Sequence, residues 1–109
     1  MRMWTIRHYL NAQGADLFQE WLDELSDRRA RARIAARLLR IELGNLGDTK
    51  SVGDGVHELR IDYGPGYRVY FAMINKQAVL LCCGGIKQSQ RSDIQHAKRL
   101  WQEWQQRNS

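Results

Sequence analysis

The 109 residues are enough for one domain, which would bury roughly 65% of its unfolded-chain surface and leave no room for a second. A composition that is 43% hydrophobic and 27% charged, with a single proline, is that of a soluble globular protein and argues against long disordered linkers. The net charge of +5 favours polyanionic partners (nucleic acid, an acidic protein segment or anionic lipid) without choosing among them.

Met3 to Tyr9 is rich in aromatic and β-branched residues and reads as a short first strand. The N-terminal run Met1 to Arg7 lacks the apolar segment of a signal peptide, and no stretch approaches the ~20 apolar residues of a membrane span. The cytoplasm is therefore the expected location, with no membrane partner. After a break at Asn11 to Gly14, Leu17, Phe18, Trp21, Leu22 and Leu25 recur at helical spacing, with acids between them. Ser26-Asp27 ends that helix and caps the next, from about Arg28 to Leu43, with Gly44 as its stop. Ala30, Ile34, Leu38 and Ile41 form its buried stripe, and the two helices are expected to make an antiparallel hairpin.

Arg28, Arg29, Arg31, Arg33, Arg37 and Arg40 load the second helix with positive charge. One reading is a solvated face whose stems cover apolar surface; the other is contact with RNA phosphates or with an acidic, amphipathic partner segment. Gly44 to Gly55 has four glycines and reads as a loop, from which Lys50 projects towards the arginines that follow.

Val56 to Phe71 is the most informative stretch. Gly64-Pro65-Gly66 reverses the chain between two arms of period-two alternation. Leu59, Ile61 and Tyr63 share one face and Glu58, Arg60 and Asp62 the other; Tyr67, Val69, Phe71 and Met73 are similarly opposed to Arg68 and Tyr70. Burying the apolar faces together leaves Arg60, Arg68 and Tyr70 on one exposed face. The second arm continues to Ile74, and Asn75-Lys76-Gln77 makes a turn. Ala78 to Cys83 is an apolar strand covered on both sides, ended by Gly84-Gly85. Cys82 and Cys83, adjacent in that strand, should point to opposite faces without forming a disulfide. Neither they nor His8, His57 and His96 have metal-ligand spacing, so no metal and no cofactor is expected. Ile94, Ala97, Trp101 and Trp104 mark one buried stripe of a last helix, and the closing Gln105 to Ser109 should fray. The expected architecture is α+β over residues 1–109: an N-terminal strand, an antiparallel helix hairpin, a three-stranded antiparallel meander and a C-terminal helix.

Four ordered motifs then carry a resemblance: Gly44 to Asp48 (GNLGD), Glu58 to Arg60 (ELR), Gly66 to Phe71 (GYRVYF) and Gly84 to Ile94 (GGIKQSQRSDI). With these the chain resembles the addiction-module killer proteins of the RelE/ParE toxin superfamily, in their HigB-like branch. The resemblance implies a type II toxin paired with a small helix-turn-helix antitoxin, and relatives that cut messenger RNA on the ribosome. It implies Arg60 and Arg68 as basic site residues, with Lys87, Gln90 and Asp93 matching a pattern at the start of the last helix. The chemistry would be metal-independent attack of a 2′-hydroxyl on the adjacent phosphate. The expected catalytic set is Arg60, Arg68, Lys87, Glu58 and Tyr70: arginines hold the phosphorane charge, Glu58 is the nearest base, and Lys87 or Tyr70 assists electrostatically or as acid. RNA or partner contact is expected from Arg28, Arg31, Arg33, Arg37, Arg40, Lys50, Gln90 and Arg91. Alternatives are a gyrase inhibitor of the ParE type, or a non-catalytic antitoxin- or RNA-binding module in which Glu58 merely pairs across the sheet with an arginine, worth ~0.2–1 kcal/mol.

Overall fold

The computed structural model describes residues 3–109; Met1 and Arg2, the start of the run read above as lacking a signal segment, lie outside the described residues. In chain order the elements are β1 (Thr5–His8), α1 (Leu17–Glu24), α2 (Arg28–Glu42), β2 (Thr49–Gly53), β3 (Val56–Ile61), β4 (Tyr67–Asn75) and β5 (Ala78–Ile86), followed by a 3-10 turn (Lys87–Ser89) and α3 (Gln90–Arg107). The α+β class holds, and β3, β4 and β5 form the expected antiparallel meander; β1 and an additional strand, β2, extend it to a five-stranded sheet in the order β1-β5-β4-β3-β2. Neighbours from β2 to β5 are antiparallel, whereas β1 runs parallel to β5 at the edge, with Thr5 opposite Ala78.

Local chemistry explains where the helices begin. The Asp16 carboxylate accepts the Gln19 N–H at 3.0 Å, and Asp27 accepts those of Arg29 and Ala30 at 2.9 and 3.2 Å, so each helix starts on a side-chain cap. Phe18 from α1 and Ala30, Ile34 and Ile41 from α2 pack on the sheet face formed by Leu59, Ile61, Val69, Phe71, Val79 and Leu81. On the other face, Ala97 and Trp101 of α3 cover Val56, Tyr70, Ala72 and Leu80. The sheet thus lies between the helix pair and α3. Trp101 and Trp104 stack at 5.4 Å, and Trp101 belongs to the core as its spacing implies.

Four expectations need correction. The Gly44 to Gly55 stretch contains β2: Lys50, Ser51 and Gly53 are exposed, so an edge strand held by pairing with β3 has no apolar alternation to announce it. Gly84 and Gly85 do not end the apolar strand but lie inside β5, because other side chains occupy the space above them. A Cβ on Gly84 would stand 2.3 Å from the Trp21 ring, and one on Gly85 1.9 Å from Asp93 Oδ2. Cys82 and Cys83 both join the cluster under α3. Tyr70 pairs with Cys83 and Phe71 with Leu81, so Cys82 is the extra residue of a bulge that resets the alternation. Both thiols are free, and burial pushes that of Cys82 up to about 12. Finally, the chain end does not fray at Gln105: α3 continues to Arg107, which donates to the Glu103 carboxylate and, at 2.5 Å, to the Leu10 carbonyl.

Candidate anion-binding cleft

Register and parity bring the charged residues of the central hairpin together. Glu58 is opposite Tyr70 and Arg60 is opposite Arg68, all on the face that α3 covers. Two arginines directly across a sheet repel, and the resolution lies in Glu58, which is completely buried. Its Oε1 accepts from Arg60 Nε at 3.2 Å and lies 3.8 Å from Arg68 Nε. Its Oε2 accepts from the Tyr70 hydroxyl at 3.3 Å and from Gln90 Nε2 at 2.6 Å. A buried carboxylate is tolerable only with such partners, so the node locks β3, β4 and the first turn of α3 to one another.

The expectation of an exposed face for Arg60, Arg68 and Tyr70 is therefore wrong for two of the three. Tyr70 is 0% exposed and Arg68 8%, because α3 folds back over this end of the sheet. Burial first, and then the neighbouring Glu58 charge, push the Tyr70 hydroxyl well above the ordinary tyrosine range. Arg68 Nη1 donates to the Tyr67 carbonyl at 3.1 Å, while its Nε is buried and has no hydrogen-bond partner among the described residues. An unpaired buried donor of this kind is costly.

Above the node opens a cleft of about 380 Å³ lined by Arg60, Arg68 and Lys87, by Asp48 and Asp62, and by the Gly64-Pro65-Gly66 turn. The volume is within the range of small-ligand sites. The turn is tied in place: the Lys87 N–H donates to the Gly66 carbonyl at 2.8 Å. Gly66 has φ +81°, and a Cβ there would come within 3.3 Å of both Arg68 Nη1 and the Lys87 side chain. Glycine thus keeps the floor of the cleft open.

Of the residues expected at the site, Arg60, Arg68 and Lys87 line this cleft, whereas Glu58 and Tyr70 lie beneath it. Lys50 is exposed on β2, across from Glu58, but does not line the cleft. Gln90 is spent on Glu58 and, with Arg91, borders a separate shallow hollow on α3. The α2 arginines belong to the other layer. Arg31 donates to the Leu25 carbonyl, and the Arg33 guanidinium lies 4.5 Å from the centre of the Tyr63 ring. Arg37 donates to the Arg60 carbonyl at 2.6 Å and to that of Asp48 at 3.5 Å, and burial draws its pKa down. It anchors two cleft-lining segments instead of facing solvent. Arg28 and Arg40 are exposed. Asp48 and Asp62 are the cleft residues that reasoning from sequence left without a role. Asp62 shares the parity of Glu58 and Arg60, which was the available signal; Asp48 stood only as the last residue of the GNLGD motif, and the hydrogen bond from the Arg60 N–H to its carbonyl is what brings it there.

A buried carboxylate beneath two arginines and a lysine, set at one end of a mixed sheet, defines a small α+β protein with a candidate site for an anion. The chain belongs to the phage derived Gp49-like (DUF891) family, whose model matches residues 20–102, a span that includes every residue lining the cleft. It is also similar to an uncharacterized protein of Haemophilus influenzae, with 54% identity over 86 residues that cover 79% of this chain and 87% of the relative.

Proposed function

We propose that this chain is the toxin of a type II toxin–antitoxin module, related to the HigB-like branch of the RelE/ParE superfamily, and that it cuts messenger RNA on the ribosome in the cytoplasm. The observation that carries the reading is the convergence of Arg60, Arg68 and Lys87 on one cleft, with Arg68 Nε lacking a hydrogen-bond partner among the described residues. A phosphodiester is the ligand such a site suits, since guanidinium groups bind phosphate oxygens in pairs and stay charged throughout the reaction. Arg60 and Arg68 hold the charge that develops when the 2′-oxygen attacks phosphorus. The Lys87 ammonium gives its proton to the departing 5′-oxygen. The 2′-hydroxyl proton goes to a carboxylate of the cleft wall, Asp48 or Asp62. The products are a 2′,3′-cyclic phosphate and a 5′-hydroxyl.

In this reading Glu58, Tyr70 and Gln90 are positioning residues that act through the two arginines. Deleting one preorganised donor is expected to slow cleavage by about 10²–10³-fold. Cations alone orient a flexible strand poorly, which is why the ribosome is the proposed presenter of the substrate. The partner is a small helix-turn-helix antitoxin.

The test is a translation extract with end-labelled message. Wild-type protein should cut the message only when ribosomes are present, and Arg68→Ala and Lys87→Ala should not. Lys87 is exposed, so its variant separates loss of chemistry from loss of fold. Intact message beside folded wild-type protein would overturn the proposal, and gyrase-dependent DNA breaks would replace it with the gyrase reading.

A further inference from the structure

Lys87 reaches the cleft from the three-residue 3-10 turn between β5 and α3, and a turn this short depends on its surroundings for a fixed orientation. The side chains around it supply that support. Ser89 stands at the N-cap of α3 without capping it, although a serine there ordinarily accepts a free N–H of the first turn. Its hydroxyl lies 2.5 Å from Asp93 Oδ2 and 3.2 Å from the Ile86 carbonyl, so it is turned across the 3-10 turn instead. Asp93 is itself pinned. The Cys83 thiol donates to its carbonyl at 3.9 Å, and its Oδ2 rests over Gly85, where a Cβ would stand 1.9 Å away. Gly85 is opposite Arg68 in the sheet, so this carboxylate and the cleft belong to one corner of the molecule.

We propose that Asp93 is a positioning residue for Lys87 and acts through Ser89. Gln90 and Asp93 are three residues apart and therefore share one face of the first turns of α3. Through Gln90 the helix holds Glu58, and with it the two arginines. Through Asp93 and Ser89 it holds the turn that bears the lysine, whose N–H is tied to the Gly66 carbonyl. One helix end thus sets the spacing of three cations that come from separate segments. Asp93 does not line the cleft and so has no place there as a base. The inference rests on the reading of Lys87 as the proton donor to the departing 5′-oxygen, where a displacement of about 1 Å can cost on the order of 10²-fold in rate.

The experiment uses the full chain, at saturating concentration, in the ribosome assay with two synthetic messages. One is natural; in the other the departing 5′-oxygen at the position that wild-type protein cuts is replaced by sulfur, which leaves without taking a proton. On the natural message Asp93→Ala and Ser89→Ala should each be slower than wild type by about 10–10²-fold, and the double variant no slower than either. On the sulfur-substituted message all three should fall within about threefold of wild type, because the proton from Lys87 is no longer needed. Asp93→Asn keeps an oxygen that accepts from Ser89 and should match wild type on both. Ser89→Ala removes a single oxygen and leaves the packing of α3 in place. Equal losses on the two messages would mark a folding defect and overturn the inference, as would a wild-type rate for Asp93→Ala or an Asp93→Asn as slow as Asp93→Ala. Wild-type protein that leaves both messages intact would overturn the reading of the cleft, and this inference with it.

Discussion

Glu58 is the residue on which the candidate site turns, and its role differs from the one its sequence position suggests. A glutamate two residues before Arg60 on one strand, with Arg68 on the next, reads as a general base or a surface ion pair. In the structure it is fully buried and accepts from Arg60, Tyr70 and Gln90. Removing its charge leaves Arg68 buried without its counter-ion, and breaking a buried pair of this sort costs about 3 kcal/mol or more. Glu58→Gln should therefore lower the urea midpoint at pH 7 and make the protein more responsive to added phosphate than the wild type, because the anion then replaces the lost charge. An unchanged midpoint would mean that the carboxylate does not hold the arginines. The parity of Glu58, Arg60, Arg68 and Tyr70 was legible in the sequence. Their burial was not, since it depends on where a helix more than twenty residues downstream lies.

Elements with strong periodicity were the legible ones. The second helix begins at the Asp27 cap read from the sequence, the first begins at Asp16, which read only as one of its acids, and the hairpin from Val56 follows its alternation. The elements that escaped are those whose reason lies in another part of the chain. β2 exists because β3 offers it a hydrogen-bonding edge, and β5 passes through Gly84 and Gly85 because Trp21 and Asp93 press against them. The same close approach gives a prediction for β5. Gly84→Ala places a methyl group 2.3 Å from the Trp21 ring, which must shift together with the Phe18 and Tyr67 rings beside it. Overpacking of this kind costs about 1–3 kcal/mol. Thermal unfolding should show the loss; a wild-type midpoint would mean that Trp21 is free to move away.

For the molecule as a whole, an excess of positive charge is divided between two layers. The cleft's arginines are held by a buried acid on the α3 side, while the α2 arginines lie on the other. Sequence analysis kept the basic helix and the arginine hairpin apart as candidate surfaces, but the packing of α2 and α3 on opposite faces of the sheet is a long-range property that periodicity does not carry. The central claim is that Arg60, Arg68 and Lys87 together seat a phosphodiester. It is tested most directly by titrating the ¹⁵N-labelled full chain with a 2′-O-methyl trinucleotide, which can bind but cannot be cut. The account predicts shifts at the amides of Gly66, Arg68 and Lys87 that weaken with salt and vanish in Lys87→Ala. Saturating ligand that leaves those amides unmoved, or moves only those of α2, would contradict it.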